Sequence, residues 1–215
     1  GDERSNYHLV LPARHKEGYR NLMRLSSIGY REGFYYKPRI DMEVLQRHST
    51  GIIAMTACIA GSVPRLLLEG KRDRARTLAQ EFLKVFGEEN FYFELQDHGI
   101  DEEKTAFKEM IELGRELGIP FVLTNDAHYL NRRDAESHEI LLCIQTQTTM
   151  ADPKRYRFSS DQIYFKSPEE MAKLFPEIPE AVSNTLSIAE RCNVDVHERF
   201  VLPVPALPRG FSGAD

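Results

Sequence analysis

Short, nearly unbroken apolar runs alternate along most of this chain with longer stretches in which apolar residues recur at helical spacing. The runs at residues 7–11, 51–57, 91–95 and 120–123 predict strands. The second is apolar at almost every position, which suits a strand buried on both faces, as in a parallel sheet. The periodic stretches predict helices over residues 17–31, 42–48, 63–69, 72–86, 101–117 and 133–144. Asp41 and Asp101 stand where N-caps are expected, while Gly70, Gly87 and Gly118 stand at helix ends. Strand and helix in alternation, tens of residues apart, predict crossover units and therefore an α/β chain with a parallel sheet.

After Thr148 the pattern changes. Residues 152–158 are polar and turn-rich, and 162–165 predict one short strand. Ser167-Pro168-Glu169-Glu170 is a capping box with proline at the first helical position, opening a helix to Phe175, and a second helix is expected over 180–192. The Pro- and Gly-containing tail, residues 200–215, reads as a linker or a packing arm.

Composition narrows the classes. An apolar fraction of 41% and a charged fraction of 28% over 215 residues are those of a globular domain with a sizeable core. No apolar run approaches the roughly 20 residues that span a bilayer, so no membrane partner is expected. The start, Gly1-Asp2-Glu3-Arg4-Ser5, has neither a signal-peptide pattern nor an initiator Met, which points to excision from a longer chain. Three scattered cysteines, Cys58, Cys143 and Cys192, make no disulfide framework and suit a reducing, cytoplasmic location. A net charge of −5 argues against a simple duplex-binding module.

Candidate chemistry gathers where strands end. The fourth run leads into Thr124-Asn125-Asp126-Ala127-His128-Tyr129. In extended backbone Asp126 and His128 point to the same side, and carboxylate plus imidazole suits zinc or manganese. The competing reading makes Asp126 a turn cap and His128 an ordinary loop histidine. Cys58 follows the second run and Asp97-His98-Gly99 the third, at the carboxyl ends of strands where α/β folds place their sites. Alone, Cys58 is a small core residue and Asp97-His98 a turn into the next helix. His8 lies inside the first run and by itself reads as a core histidine. His15, His48, His138 and His197 have surface or packing readings. Residues 71–76 read as a solvated basic helix face, and the basic, aromatic stretch Lys154–Phe158 as a surface for docking a neighbouring domain.

Taken in order, His8, Thr56-Ala57-Cys58, Glu94-Leu95-Gln96-Asp97-His98-Gly99 and Thr124-Asn125-Asp126-Ala127-His128-Tyr129 resemble the later part of the polymerase and histidinol phosphatase (PHP) domain. The connecting stretches, among them Glu32-Gly33-Phe34-Tyr35-Tyr36-Lys37-Pro38-Arg39 and Tyr164-Phe165-Lys166-Ser167-Pro168-Glu169-Glu170-Met171, resemble the version found in alpha subunits of bacterial DNA polymerase III. The resemblance implies a partial, distorted (β/α)7 barrel lacking its first strands. Residues 1–150 would be the later part of the barrel, 151–199 a helical extension that completes it and leads to the palm, and 200–215 a Pro-rich linker.

By motif, His8, Cys58, Asp126 and His128 match metal ligands of the family, while Asp97 and His98 do not and can only support the site from behind. The ligand segments that lie upstream in the family are absent here, as is the polymerase active site, which uses magnesium. The resemblance further implies DNA and other replicase subunits as partners of the parent. It also implies metal-assisted phosphoester hydrolysis, as a 3′-5′ exonuclease, or a scaffold role where the ligands are lost. A free-standing phosphatase is a third alternative. Four ligands suffice for one ion, so the isolated chain is expected to have little nuclease activity. Open sheet edges in an incomplete barrel would favour a homodimer.

Overall fold

The computed structural model describes residues 6–196, so the tail at 200–215 and His197 lie outside the described residues. The helices are α1 (Lys16–Arg31), α2 (Met42–Arg47), α3 (Ser62–Leu68), α4 (Arg72–Phe86), α5 (Asp101–Leu117), α6 (Ala135–Thr146), α7 (Pro168–Met171) and α8 (Pro179–Arg191). The strands are β1 (Ala54–Met55), β2 (Phe91–Leu95) and β3 (Phe121–Leu123). They form a parallel sheet in the order β1-β2-β3, with Ala54 beside Phe91 and Phe93 beside Phe121.

Alternation along β2 assigns its faces. Phe91, Phe93 and Leu95 join the large core built with α3, α4 and α5, where Phe82, Phe107, Met110 and Leu113 are buried. Tyr92 faces the other way with Ile53, Met55 and Val122, and this second cluster is covered by Ile188 of α8. All five residues of β2 are buried, as a parallel strand covered by helices on both faces requires. The main exception to the apolar pattern is Glu94, two steps beyond Tyr92.

Several boundaries differ from the sequence pattern. The run at 51–57 contributes only two strand residues, because Gly51 and Ala57 both take positive φ, 75° and 61°. Residues 8–14 are not a strand in the parallel sheet. They lie alongside 51–61 through isolated bridges, with Val10 and Met55 exchanging antiparallel hydrogen bonds of 3.0 and 2.9 Å. The 162–165 run is reduced to a single bridge between Tyr129 and Tyr164. Asp101 is the first helical residue of α5 and not its cap, which is Ile100. Asp41 does cap α2, its side chain accepting from the Val44 amide at 2.8 Å, and the Ser167–Glu170 capping box is present at α7.

Both outer strands of the sheet make further hydrogen bonds. The Val10 segment pairs with β1, and the Asn184 side chain of α8 donates to the Phe121 carbonyl of β3 at 2.8 Å. Two of the basic residues at 71–76 are tied to α5: Arg72 meets Glu109 at 2.6 Å and Glu116 at 2.8 Å, and Arg76 meets Glu116 at 2.5 Å. Lys71 pairs with Glu69 at 2.7 Å, in keeping with a solvated helix face. Among the described residues no helix is long and apolar enough to cross a membrane.

Candidate metal centre

The four ligand candidates stand at the carboxyl end of the sheet as two pairs. Cys58 Sγ lies 3.9 Å from His8 Nδ1. Asp126 Oδ1 lies 3.7 Å from His128 Nε2. Two ligands of one tetrahedral ion, at ordinary metal–sulfur, metal–nitrogen and metal–oxygen lengths, are separated by about 3.5 Å. Each pair therefore has the spacing of donors that share an ion, and the donor types fit zinc. Among the described residues, however, no three His, Cys, Asp or Glu side chains form a group able to hold a metal ion. The residues fit as two half-sites.

Both pairs are presented by strained turns. Ala57, just before Cys58, has φ 61°, and Asp126 has φ 45°. Left-handed backbone is uncommon for alanine and is the kind of local cost that a surrounding structure must impose. The extended spacing expected for Asp126 and His128 is thus absent; the left-handed turn at Asp126 accompanies the close approach.

What imposes the turns is a buried carboxylate. Glu94 projects from β2 beneath both loops. It accepts from the Ala57 amide at 2.9 Å and from the Thr124 hydroxyl at 2.5 Å, and Gln96 Nε2 approaches it at 3.3 Å. Thr56 closes the cluster, its hydroxyl accepting from the Glu94 amide at 2.8 Å. Burial pushes the Glu94 carboxyl above the usual carboxylate range, against the pull of these bonds, and the Asp126 charge adds to the rise. Burial likewise raises the Cys58 thiol, with Asp126 and Glu94 adding to it. The two loops therefore share one electrostatic environment. Gln96 Oε1, in the same cluster, is a buried acceptor without a hydrogen-bond partner.

The Asp126 loop is held from the other side by His98. Its ring is buried, with Nδ1 2.6 Å from Glu103 Oε1 and Nε2 2.7 Å from the Asn125 carbonyl. Burial opposes a charge on this ring, yet the bonds to Glu103 and Asn125 prevail and hold its pKa above the ordinary histidine value. Asp97 makes a turn, accepting from the Gly99 amide at 2.8 Å. The Asn125 side chain donates to the Tyr164 carbonyl at 2.9 Å and accepts from buried Lys166 at 3.3 Å. Burial lowers the Lys166 ammonium.

Glu94, Lys166 and Phe158 are among the supporting residues that escaped the sequence reading as site components. Glu94 left a visible signal, a charge inside an apolar strand run. Phe158 lies 4.9 Å from the His128 ring, and His138 lies 5.5 Å from it. Arg155 pairs with Glu139 of α6 at 2.7 Å. The Lys154–Phe158 stretch thus docks on its own chain.

The PHP domain family model matches residues 2–98, a span that contains His8 and Cys58 but stops short of Asp126 and His128. The DNA polymerase III subunit alpha of Treponema pallidum is 47% identical over 213 residues, covering 99% of this chain and 18% of that protein. The Thermus aquaticus protein of the same name is 42% identical over 207 residues, covering 94% of this chain and 17% of that protein. The Deinococcus radiodurans one is 44% identical over 220 residues, covering 99% and 16%. The chain therefore spans less than a fifth of the length of these relatives. Residues 2–98 thus match the PHP domain family model, and the chain along nearly its whole length is similar to a segment of bacterial DNA polymerase III alpha subunits.

Proposed function

We propose that this chain is the metal-binding PHP portion of a replicative DNA polymerase subunit, with His8, Cys58, Asp126 and His128 as its contribution to a divalent metal site. The observation that carries the reading is the pairing of donors in the loops that follow β1 and β3, both tied to Glu94 of the strand between them. A bound divalent ion would supply Lewis acidity for hydrolysis of a phosphoester such as a DNA 3′ end. In that chemistry Cys58 must first give up a proton that burial holds in place and the Asp126 charge helps to hold, and the positive charge of a bound ion would favour its loss. Glu94 fixes the distance between the loops, and His98 fixes the carbonyl that precedes Asp126.

The barrel that this sheet belongs to is then completed by ligand-bearing strands outside the chain. Residues 151–199 are the extension toward the polymerase palm, and 200–215 the linker. DNA, other replicase subunits, magnesium-dependent nucleotidyl transfer and a cytoplasmic location belong to the whole protein.

Elemental analysis of the full-length parent tests the reading. Transition metal should copurify with the parent and fall in Cys58→Ala and His128→Ala variants. A second reading, a scaffold that stabilises the polymerase without chemistry, is favoured by the absence of a three-ligand group among the described residues. A parent free of transition metal would leave that reading standing. The chain alone, incubated with a 3′-labelled single strand and zinc or manganese, should release little product. Metal-dependent shortening abolished by Asp126→Ala would refute the incomplete-site argument.

A further inference from the structure

The outer face of α1 carries two parallel stripes. Tyr19, Met23 and Tyr30 are exposed along one, and Arg20, Arg24 and Arg31 along the next, as positions three, four and seven apart on a helix require. Beyond the helix the chain continues the same chemistry. Phe34 stacks on Tyr30 with ring centroids 6.4 Å apart, Tyr35 and Tyr36 meet edge to face at 4.7 Å, and Arg39 lies over the Tyr35 ring at 4.9 Å. Tyr30, Phe34 and Tyr36 are each more than half exposed. Between residues 16 and 41 basic side chains outnumber acidic ones two to one, in a chain whose net charge is −5.

We propose that this face binds single-stranded nucleic acid, with Tyr30 and Phe34 stacking on bases and Arg24, Arg31 and Lys37 contacting phosphates. Exposed aromatic rings interleaved with cations are the equipment of sequence-tolerant single-strand binding, because every base offers a π-face and every linkage a charge. An aliphatic docking surface would lack the cations, and a duplex would bury its bases away from the rings. Two adjoining cavities give the strand a direction. One, of about 270 Å³, is lined by Tyr30, Pro38, Arg39 and Ile40. The other, of about 510 Å³, is lined by the same Pro38, Arg39 and Ile40 together with Tyr7 and His8. The smaller cavity touches the aromatic face at Tyr30, and the larger reaches His8. Binding itself does not depend on the proposed metal site; only the direction of the strand, toward His8, rests on that reading.

The chain has no tryptophan, so Phe34→Trp makes a single reporter at the stacking position. Short oligo(dT) and oligo(U) are titrated into this variant in EDTA, with a duplex of equal length as the third arm. Saturable quenching by single strands, with weak response to duplex, is expected, and the preferred arm distinguishes DNA from RNA. Arg31→Glu with Lys37→Glu should weaken binding roughly tenfold, as should a rise from low to physiological salt. Because the titrations are run in EDTA, their outcome is separate from the fate of the metal site. All of these positions are on the surface, and unchanged circular dichroism and melting establish that the variants fold. Absence of quenching, or equal affinity in the charge-reversed variant, overturns the proposal. So does emission that shifts with protein concentration and ignores oligonucleotide, which would make the face a protein-docking surface.

Discussion

The carboxylate of Glu94 accepts the amide of Ala57 at 2.9 Å, so the turn that follows one strand is set by a side chain of the neighbouring strand. The same carboxylate takes the Thr124 hydroxyl. Replacing Glu94 by Ala leaves buried donors unpaired on two loops at once and should cost about 3 kcal/mol. Glu94→Gln keeps one acceptor oxygen and should cost about half as much. Urea unfolding of both variants measures the difference, and equal stability of wild type and Glu94→Ala would show that the loops hold themselves.

His98 should make stability depend on pH. Its folded-state pKa is raised, so the folded chain binds the proton more tightly than the unfolded chain. The resulting stabilisation is full below the ordinary histidine pKa, about 6.5, and is lost as pH rises through the higher folded value. Wild type should therefore lose stability between mildly acidic and mildly alkaline buffer. His98→Gln should be less stable at acidic pH and should show a flatter profile. A wild-type profile as flat as that of the variant would contradict the Glu103 pairing.

Gly18 is buried in α1, where an added Cβ would lie 1.9 Å from the Gly51 carbonyl oxygen. Both contacting parts are backbone, so neither yields cheaply. Gly18→Ala should destabilise by about 3 kcal/mol despite the better helix propensity of alanine. Gly70, by contrast, takes positive φ, 68°, and has open space around it. Gly70→Ala should cost only about 1 kcal/mol, from the left-handed backbone alone. Thermal melts of the two variants give the ranking, and a reversed order would refute it.

Cobalt(II) offers a spectroscopic test of the cysteine. If Cys58 ligates, cobalt added to the chain should produce a thiolate-to-metal absorption band that grows as pH rises, because burial holds the thiol proton. Cys58→Ser should remove the band, and Asp126→Ala should weaken cobalt binding by roughly tenfold or more. A band unaffected by Cys58→Ser would move the assignment to Cys143 or Cys192.

Most of the helical frame was legible from periodicity, because α1, α4, α5 and α8 each bury one stripe and carry their polar residues outside. Strand lengths were less so. The apolar run at 51–57 looks continuous, but a left-handed Ala57 cannot be read from an alanine, since it is enforced by Glu94, 37 residues later. Motif put forward His8, Cys58, Asp126 and His128 as candidates, whereas the approach of His8 to Cys58 depends on residues 8–14 lying beside 51–61. Lys154–Phe158 showed its chemistry but not its destination: only the three-dimensional fold sends Arg155 to Glu139 and Phe158 to His128.

Asn125 is gripped at both ends, its carbonyl by His98 and its side chain by Tyr164 and Lys166. The His128 amide donates to the Ile163 carbonyl, and the Phe165 amide to that of Tyr129. The two segments are therefore one mechanical unit. A solvent proton can reach the His128 and Phe165 amides only when residues 162–166 peel away from the turn, so both should exchange at a single common rate. The presentation of Asp126 and His128 is thereby set as much by the hold of a distant segment as by their own loop.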